Sequence, residues 1–132
     1  MHKINVVLVD DSRSVLRQQQ ELLSELEAVN VVGTGTDGLE AVRVVTECRP
    51  DLVLMDIVMP NMDGLAALRL MKAQLPDIRV AMVSSSGGSA SRAEEAFRLG
   101  AVQVLCKPVD ADQIEDLITN ERERLEEQGG SR

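Results

Sequence analysis

Short runs of β-branched and other apolar residues alternate along the chain with longer stretches whose apolar positions recur every three or four residues. The first pattern is that of buried strands and the second that of amphipathic helices. Ile4 to Val9 reads as a strand, followed by a helix from about Ser14 to Glu27 that turns Val15, Leu22, Leu23 and Leu26 toward a core. Val29 to Thr34 is a second strand, after which Asp37 caps a helix to about Cys48, with Glu40 completing a capping box. Leu52 to Met55 is apolar throughout, as a strand covered on both faces must be. A loop with Pro60 leads to a helix from about Asp63 to Leu75, which Pro76 ends. Val80 to Val83 is the fourth strand, and a Gly/Ser loop, Ser84 to Ser89, runs into a helix capped by Ser91 with Glu94 and closed by Gly100. Val102 to Cys106 is the fifth strand, stopped by Pro108. Asp110 with Gln113 opens a last helix to about Glu126.

Five strands and five helices in strict turn predict a parallel sheet with helices on both faces, a flavodoxin-like α/β/α sandwich. Residues 1–126 form one domain on this reading, and 127–132 a disordered tail or the start of a linker. In such a sheet the strand order reverses beside the first strand, and ligands sit outside the C-terminal ends of the strands at that reversal. The strands that flank it end on Asp10 and Asp11 and on Asp56, and the fifth ends on Lys107.

Composition narrows the function. The 132 residues carry a net charge of −8 and a pI near 4.6, which disfavours direct nucleic-acid or anionic-membrane binding and suits a divalent cation or a basic partner surface. The opening MHKINVVLVDD is too short and too soon acidic for a signal or membrane segment, so a cytoplasmic location is expected. Cys48 and Cys106 lack zinc-binding spacing and read as small buried residues.

Charge then dictates chemistry. Three ionised carboxylates in one cleft repel unless one is protonated or a cation neutralises them, and a hard ion, Mg(2+) before Ca(2+), fits an all-oxygen site of this size. Such an ion draws a phosphoryl group. Asp56 stands alone at its strand end and is the better nucleophile for forming an acyl phosphate. Lys107 is placed to pair with the carboxylate at rest and with a phosphoryl oxygen afterwards, and Ser84 offers a hydroxyl to another.

With these residues in view the chain resembles the receiver domains of two-component response regulators, the CheY-like superfamily. The motifs that carry the resemblance are "LVDDS", "LMDIVMPNMDG", "MVSS" and "GAVQVLCKP", in the family's order over about 105 residues. The resemblance implies phosphoryl transfer from a sensor histidine kinase or phosphotransfer protein to Asp56. It also implies Mg(2+) held by Asp11, Asp56 and the main-chain carbonyl of Val58, with Asp10 acting through a water. Ser84 takes the place of the family's switch hydroxyl and Lys107 that of its invariant lysine. The domain itself is then a phospho-acceptor, not a dedicated enzyme, with self-phosphorylation and acyl-phosphate hydrolysis expected. The face of the fourth helix, fifth strand and fifth helix is the implied contact surface for a downstream protein or an effector domain, in a monomer or a phosphorylation-linked dimer. One departure stands out: Val104 occupies a position usually aromatic in the family, and the only aromatic residue is Phe97. The switch is then expected to rest on Ser84 drawing the loop SSSGGSAS toward the phosphoryl group while Val104 repacks.

Plainer readings compete residue by residue. Asp10 or Asp11 alone would serve as a helix cap, Ser84 as a turn residue and Lys107 as a solvated charge; three acids meeting a lysine at strand ends is not explained that way. Met59 and Met62 read as packing, His2 as part of a frayed terminus, and NERERLEEQ as a solvated helix end. Gly33, Gly35 and Gly38 spell GxGxxG between a strand and a helix, the mark of a dinucleotide fold. That motif normally follows the first strand, however, and here the three are expected to be turn glycines ahead of Asp37. A phosphorylation-independent scaffold on the same fold is the other rival.

Overall fold

A computed structural model describes residues 3–85 and 90–128. His2, the glycines of the Ser84–Ser89 loop and residues 129–132 of the tail expected over 127–132 lie outside the described residues, while Glu127 still belongs to the last helix and Gln128 caps it. The described elements are β1 (Ile4–Val9), α1 (Arg13–Ser24), β2 (Val29–Gly35), α2 (Gly38–Cys48), β3 (Leu52–Asp56), α3 (Gly64–Gln74), β4 (Val80–Ser84), α4 (Ala90–Arg98), β5 (Gln103–Cys106) and α5 (Ala111–Glu127). All strands pair in parallel in the order β2-β1-β3-β4-β5, so the reversal lies between β1 and β3 as expected for the flavodoxin-like, CheY-like fold.

Alternation along each strand splits the core in two. Val7 and Val9 of β1 with Val53 and Met55 of β3 face α2, α3 and α4, burying Ala41, Val45, Leu68 and Met71. Val6 and Leu8 with Leu52 and Leu54 face α1 and α5, where Leu16, Leu23, Ile114 and Leu117 close the layer. β1 and β3 are buried on both sides, which is why their sequences are almost unbroken runs of apolar residues.

The helices start where side chains can take up their free N–H groups. Ser12, Asp37, Asp63 and Asp110 cap α1, α2, α3 and α5. Among the described residues only Asp110 and Gln113 form a reciprocal capping box; Glu40 instead accepts from the backbone N–H of Thr36, one residue ahead of its expected partner. Ser91 lies inside α4 and is not its cap. Gly100 ends the α4 turn at φ +107, a conformation open to glycine and costly for other residues.

Other expectations need correction. α1 begins one residue early and ends at Ser24, and its buried face is Leu16, Gln19 and Leu23, with Val15, Leu22 and Leu26 only half-buried. Both cysteines are exposed, because Cys48 falls in the last turn of α2 and Cys106 at the outer end of the edge strand β5. The polar end of α5 is not wholly solvated: Glu121 is buried and meets Arg79 through two 3.0 Å hydrogen bonds, to Nε and Nη2. None of Gly33, Gly35 and Gly38 has a positive φ, so they are not turn glycines. They are sites of close approach instead: a Cβ on Gly33 would press on Val44, one on Gly35 would touch the Ala41 backbone, and one on Gly38 would run into the Met62 carbonyl. β2 is moreover an edge strand, and the Asp37 carboxylate already occupies the α2 N-terminus where a pyrophosphate would bind, so the GxGxxG reading is withdrawn.

Candidate functional site

The register of the sheet brings the acids together. Val9 of β1 pairs with Met55 of β3, so Asp10 and Asp56, each one residue further on, leave adjacent strands side by side. Asp10 Oδ1 accepts the Ser12 backbone N–H at 2.9 Å, which folds the chain into a tight turn and hands the capping of α1 to Ser12. That turn lifts Asp11 out of the sheet edge, so it is exposed while Asp10 and Asp56 are buried. Each of the three offers a carboxylate oxygen, and these oxygens lie within 4.8 Å of one another. The donor set is all oxygen, clustered and partly open, which fits a small hard cation.

Lys107 closes the site from the other side. β5 lies beyond β4 in the sheet, and the Lys107 N–H donates to the Ser84 carbonyl at 2.8 Å, so the residue after β5 is fixed level with the end of β4. The following peptide, Lys107–Pro108, is cis. From there the side chain spans the strand ends: its Nζ hydrogen-bonds Asp56 Oδ2 at 3.0 Å and makes an ion pair with Asp10 Oδ2 at 2.8 Å. Burial pulls the ammonium toward neutrality, but its contacts with Asp10 and Asp56 outweigh this and hold its pKa above the ordinary lysine value. Burial pushes the Asp56 carboxyl above the ordinary carboxylate range, and the Asp10 charge adds to that, against the opposing pull of Lys107 and the Val58 backbone N–H. Asp56 is thus a carboxylate whose charge is costly where it stands.

The loop after β3 is pinned to its surroundings. The Gly64 N–H donates to the Ile57 carbonyl, and a Cβ at Gly64 would meet the Asp56 carbonyl. Asn61, at φ 68, donates to Asp37 Oδ2 at 2.7 Å and ties the loop to the start of α2. Val58 is exposed on this loop beside the acids. Ser84 ends β4 half-buried, paired in register with Cys106, so the residue stands at the same edge of the sheet. Val104 is half-buried on β5 and packs against the α2–α3–α4 core layer, and Met59 and Met62 are core or near-core residues as read from the sequence.

Asp10, Asp11, Asp56 and Lys107 therefore meet, with Val58 and Ser84 at the rim. Sequence reasoning missed the role of Ser12, though a Ser two residues after Asp10 and three before Val15 is the signature of such a turn and cap. It also missed Gln19, an apolar-face position held by a polar residue, and the Arg79–Glu121 pair, whose partners are 42 residues apart and carry no local signal.

Comparison with known proteins gives the same picture. The description "Response regulator receiver domain" matches residues 6–119. A protein-glutamate methylesterase/protein-glutamine glutaminase of Myxococcus xanthus is 39% identical over 105 residues, 80% of this chain and 30% of that protein. The chain thus spans under a third of that relative's length. Among solved structures, the response regulator domain of Thermotoga maritima CheB superposes with a TM-score of 0.79 at 35% identity, covering 92% of this chain and 96% of that one. A chain of the CheX-CheY-BeF3-Mg complex from Borrelia burgdorferi gives 0.83 at 29%, covering 90% and 89%.

Proposed function

The chain belongs to the response regulator receiver domain family of two-component signalling, and on that premise we propose that Asp56 is its phospho-acceptor. The observation that carries the reading is the convergence of the Asp56 carboxylate with Asp10 and Lys107 at the C-terminal ends of three strands. An Asp56 oxygen attacks the phosphorus of a phosphohistidine on a sensor kinase or phosphotransfer protein. The P–O bond forms as the P–N bond breaks, and the electron pair stays on the imidazole nitrogen, which takes a proton from solvent. Asp56 becomes an acyl phosphate. Lys107 then exchanges its carboxylate oxygen for a phosphoryl oxygen, and the Ser84 hydroxyl donates to another.

Asp11, Asp56 and the Val58 carbonyl would hold Mg(2+), with Asp10 reaching it through an intervening water; the ion offsets the carboxylate charges that otherwise repel the incoming phosphoryl group. The Mg named in the Borrelia complex, a chain of which shares this fold, supports a magnesium ion as the cation. The output surface is the α4–β5–α5 face, where Phe97 is half-exposed, and its partner is a downstream protein or an effector domain. The domain is not a dedicated enzyme, and the esterase and glutaminase activities named for its relatives belong to those proteins. No described helix is long and apolar enough to cross a membrane, in keeping with a cytoplasmic site of action.

Incubation with Mg(2+) and acetyl phosphate should add one phosphoryl mass to the intact protein, and Asp56→Asn should abolish it. No added mass from several small donors and a kinase would favour a receiver fold used as a phosphorylation-independent scaffold.

A further inference from the structure

Helix α1 carries a polar residue in the middle of its buried face. Gln19 is 4% exposed, between Leu16 and Leu23, and its carboxamide oxygen is shut off from solvent with no hydrogen-bond partner among the described residues. Buried polar atoms are nearly always paired, with protein or with water. Gln19 lines a cavity of about 340 Å³ between α1 and the turn after β5, together with Gln18, Val15, Val109, Ser85 and Lys107. The space is ample for water, and an internal water needs two to four polar partners. Gln19, Ser85 and Lys107 supply them. The Lys107 ammonium has three N–H bonds to place; one goes to Asp56 Oδ2 at 3.0 Å, and Asp10 Oδ2 lies 2.8 Å away as an ion pair without hydrogen-bond geometry.

We propose that ordered water in this cavity bridges the Gln19 carboxamide oxygen to the Lys107 ammonium, which makes Gln19 a positioning residue for the lysine. The inference rests on Asp56 being the phospho-acceptor, and it says what guides the ammonium during transfer. Lys107 must let go of a carboxylate oxygen and meet a phosphoryl oxygen without swinging into solvent, toward which its side chain is already 24% exposed. A water held at a fixed point by α1 restrains that movement from behind. Val15, Pro108 and Val109 form the apolar part of the cavity wall, on which a water has nothing to bond.

Gln19→Leu removes the acceptor, keeps the approximate volume and suits a buried helix face, so the variant should fold at least as stably as the parent. With acetyl phosphate as donor, its maximal phosphorylation rate should fall about three- to tenfold, as for loss of one hydrogen bond, with the half-saturating donor concentration unchanged. The nuclear-relaxation order parameter of the Lys107 ammonium should fall in the same variant, an effect a merely structural glutamine would not produce. A high-resolution crystal structure of the parent should show water within hydrogen-bond distance of both Gln19 Oε1 and Lys107 Nζ. Absence of any water bridging those two atoms overturns the proposal, as does an unchanged ammonium order parameter in Gln19→Leu, whether or not the rate changes. If the parent takes up no phosphoryl group at all, the phospho-acceptor reading fails, while the water and the ammonium order, both measured without phosphorylation, still decide the role of Gln19.

Discussion

Replacing Lys107 with Met keeps an unbranched side chain of similar length but deletes the charge between two buried carboxylates. At 2.8 and 3.0 Å each ion pair has a Coulomb attraction of roughly 5–6 kcal/mol at an effective dielectric of 20. Most of this is offset by the cost of burying the charges, and removing one partner of a buried pair costs about 3–5 kcal/mol where burial is complete. Lys107 is 24% exposed, and water can reach the gap the ammonium leaves. A loss of about 2–3 kcal/mol is therefore expected, which for a domain of this size lowers Tm by about 6–12 °C. Calorimetry in cation-free buffer at neutral pH measures it. The same variant should respond more strongly to added MgCl2, because the acids lose their internal counter-charge and bind the ion more tightly, and tighter binding raises Tm further at equal concentration. A variant as stable as the parent without Mg(2+), with the same Mg(2+) response, would show that the ammonium does not neutralise the cluster and would refute the reasoning.

Two further outcomes follow from the charges. Because the Asp56 carboxyl is held above its ordinary value of 3.8, mainly by burial, the folded state binds more protons than the unfolded one as pH rises from that value to the raised one, so stability contributed at this site falls over that window. Asp56→Asn should accordingly be more stable than the parent at neutral pH without divalent cations, and the gap should close below pH 3.8; urea melts across pH would show it, and a gap independent of pH would contradict it. Arg79→Ala strands the buried Glu121 and should cost about 2–4 kcal/mol, whereas Arg79→Met combined with Glu121→Leu should recover most of the loss; equal losses in the single and double variants, measured by denaturant unfolding, would mean that the stranded charge is not what costs the stability.

The order of elements and the meeting of the acids were legible because each depends on a local pattern. β3 has to be central because Leu52 to Met55 leaves no face for water, and a carboxylate at its end then has to share the edge with the residues after β1. What the sequence could not disclose depends on which neighbour a side chain meets. Cys106 reads as a core residue in the run VQVLC, yet β5 is an edge strand and its end is open to solvent. Glu121 reads as one of a row of exposed charges until the start of β4 brings Arg79 against it. Gly33 and Gly38 fit a phosphate-binding signature as letters, and only the packing of Val44 and the Met62 carbonyl against them shows that their small size serves helix docking.

The position of the acyl phosphate is the most direct test of the account. Phosphorylated protein, reduced with borohydride and mapped by peptide mass spectrometry, converts an aspartyl phosphate to homoserine, and homoserine should appear at position 56 alone. Homoserine at position 10 or 11, or a phosphoryl group that resists reduction and maps to a hydroxyl side chain, would contradict it.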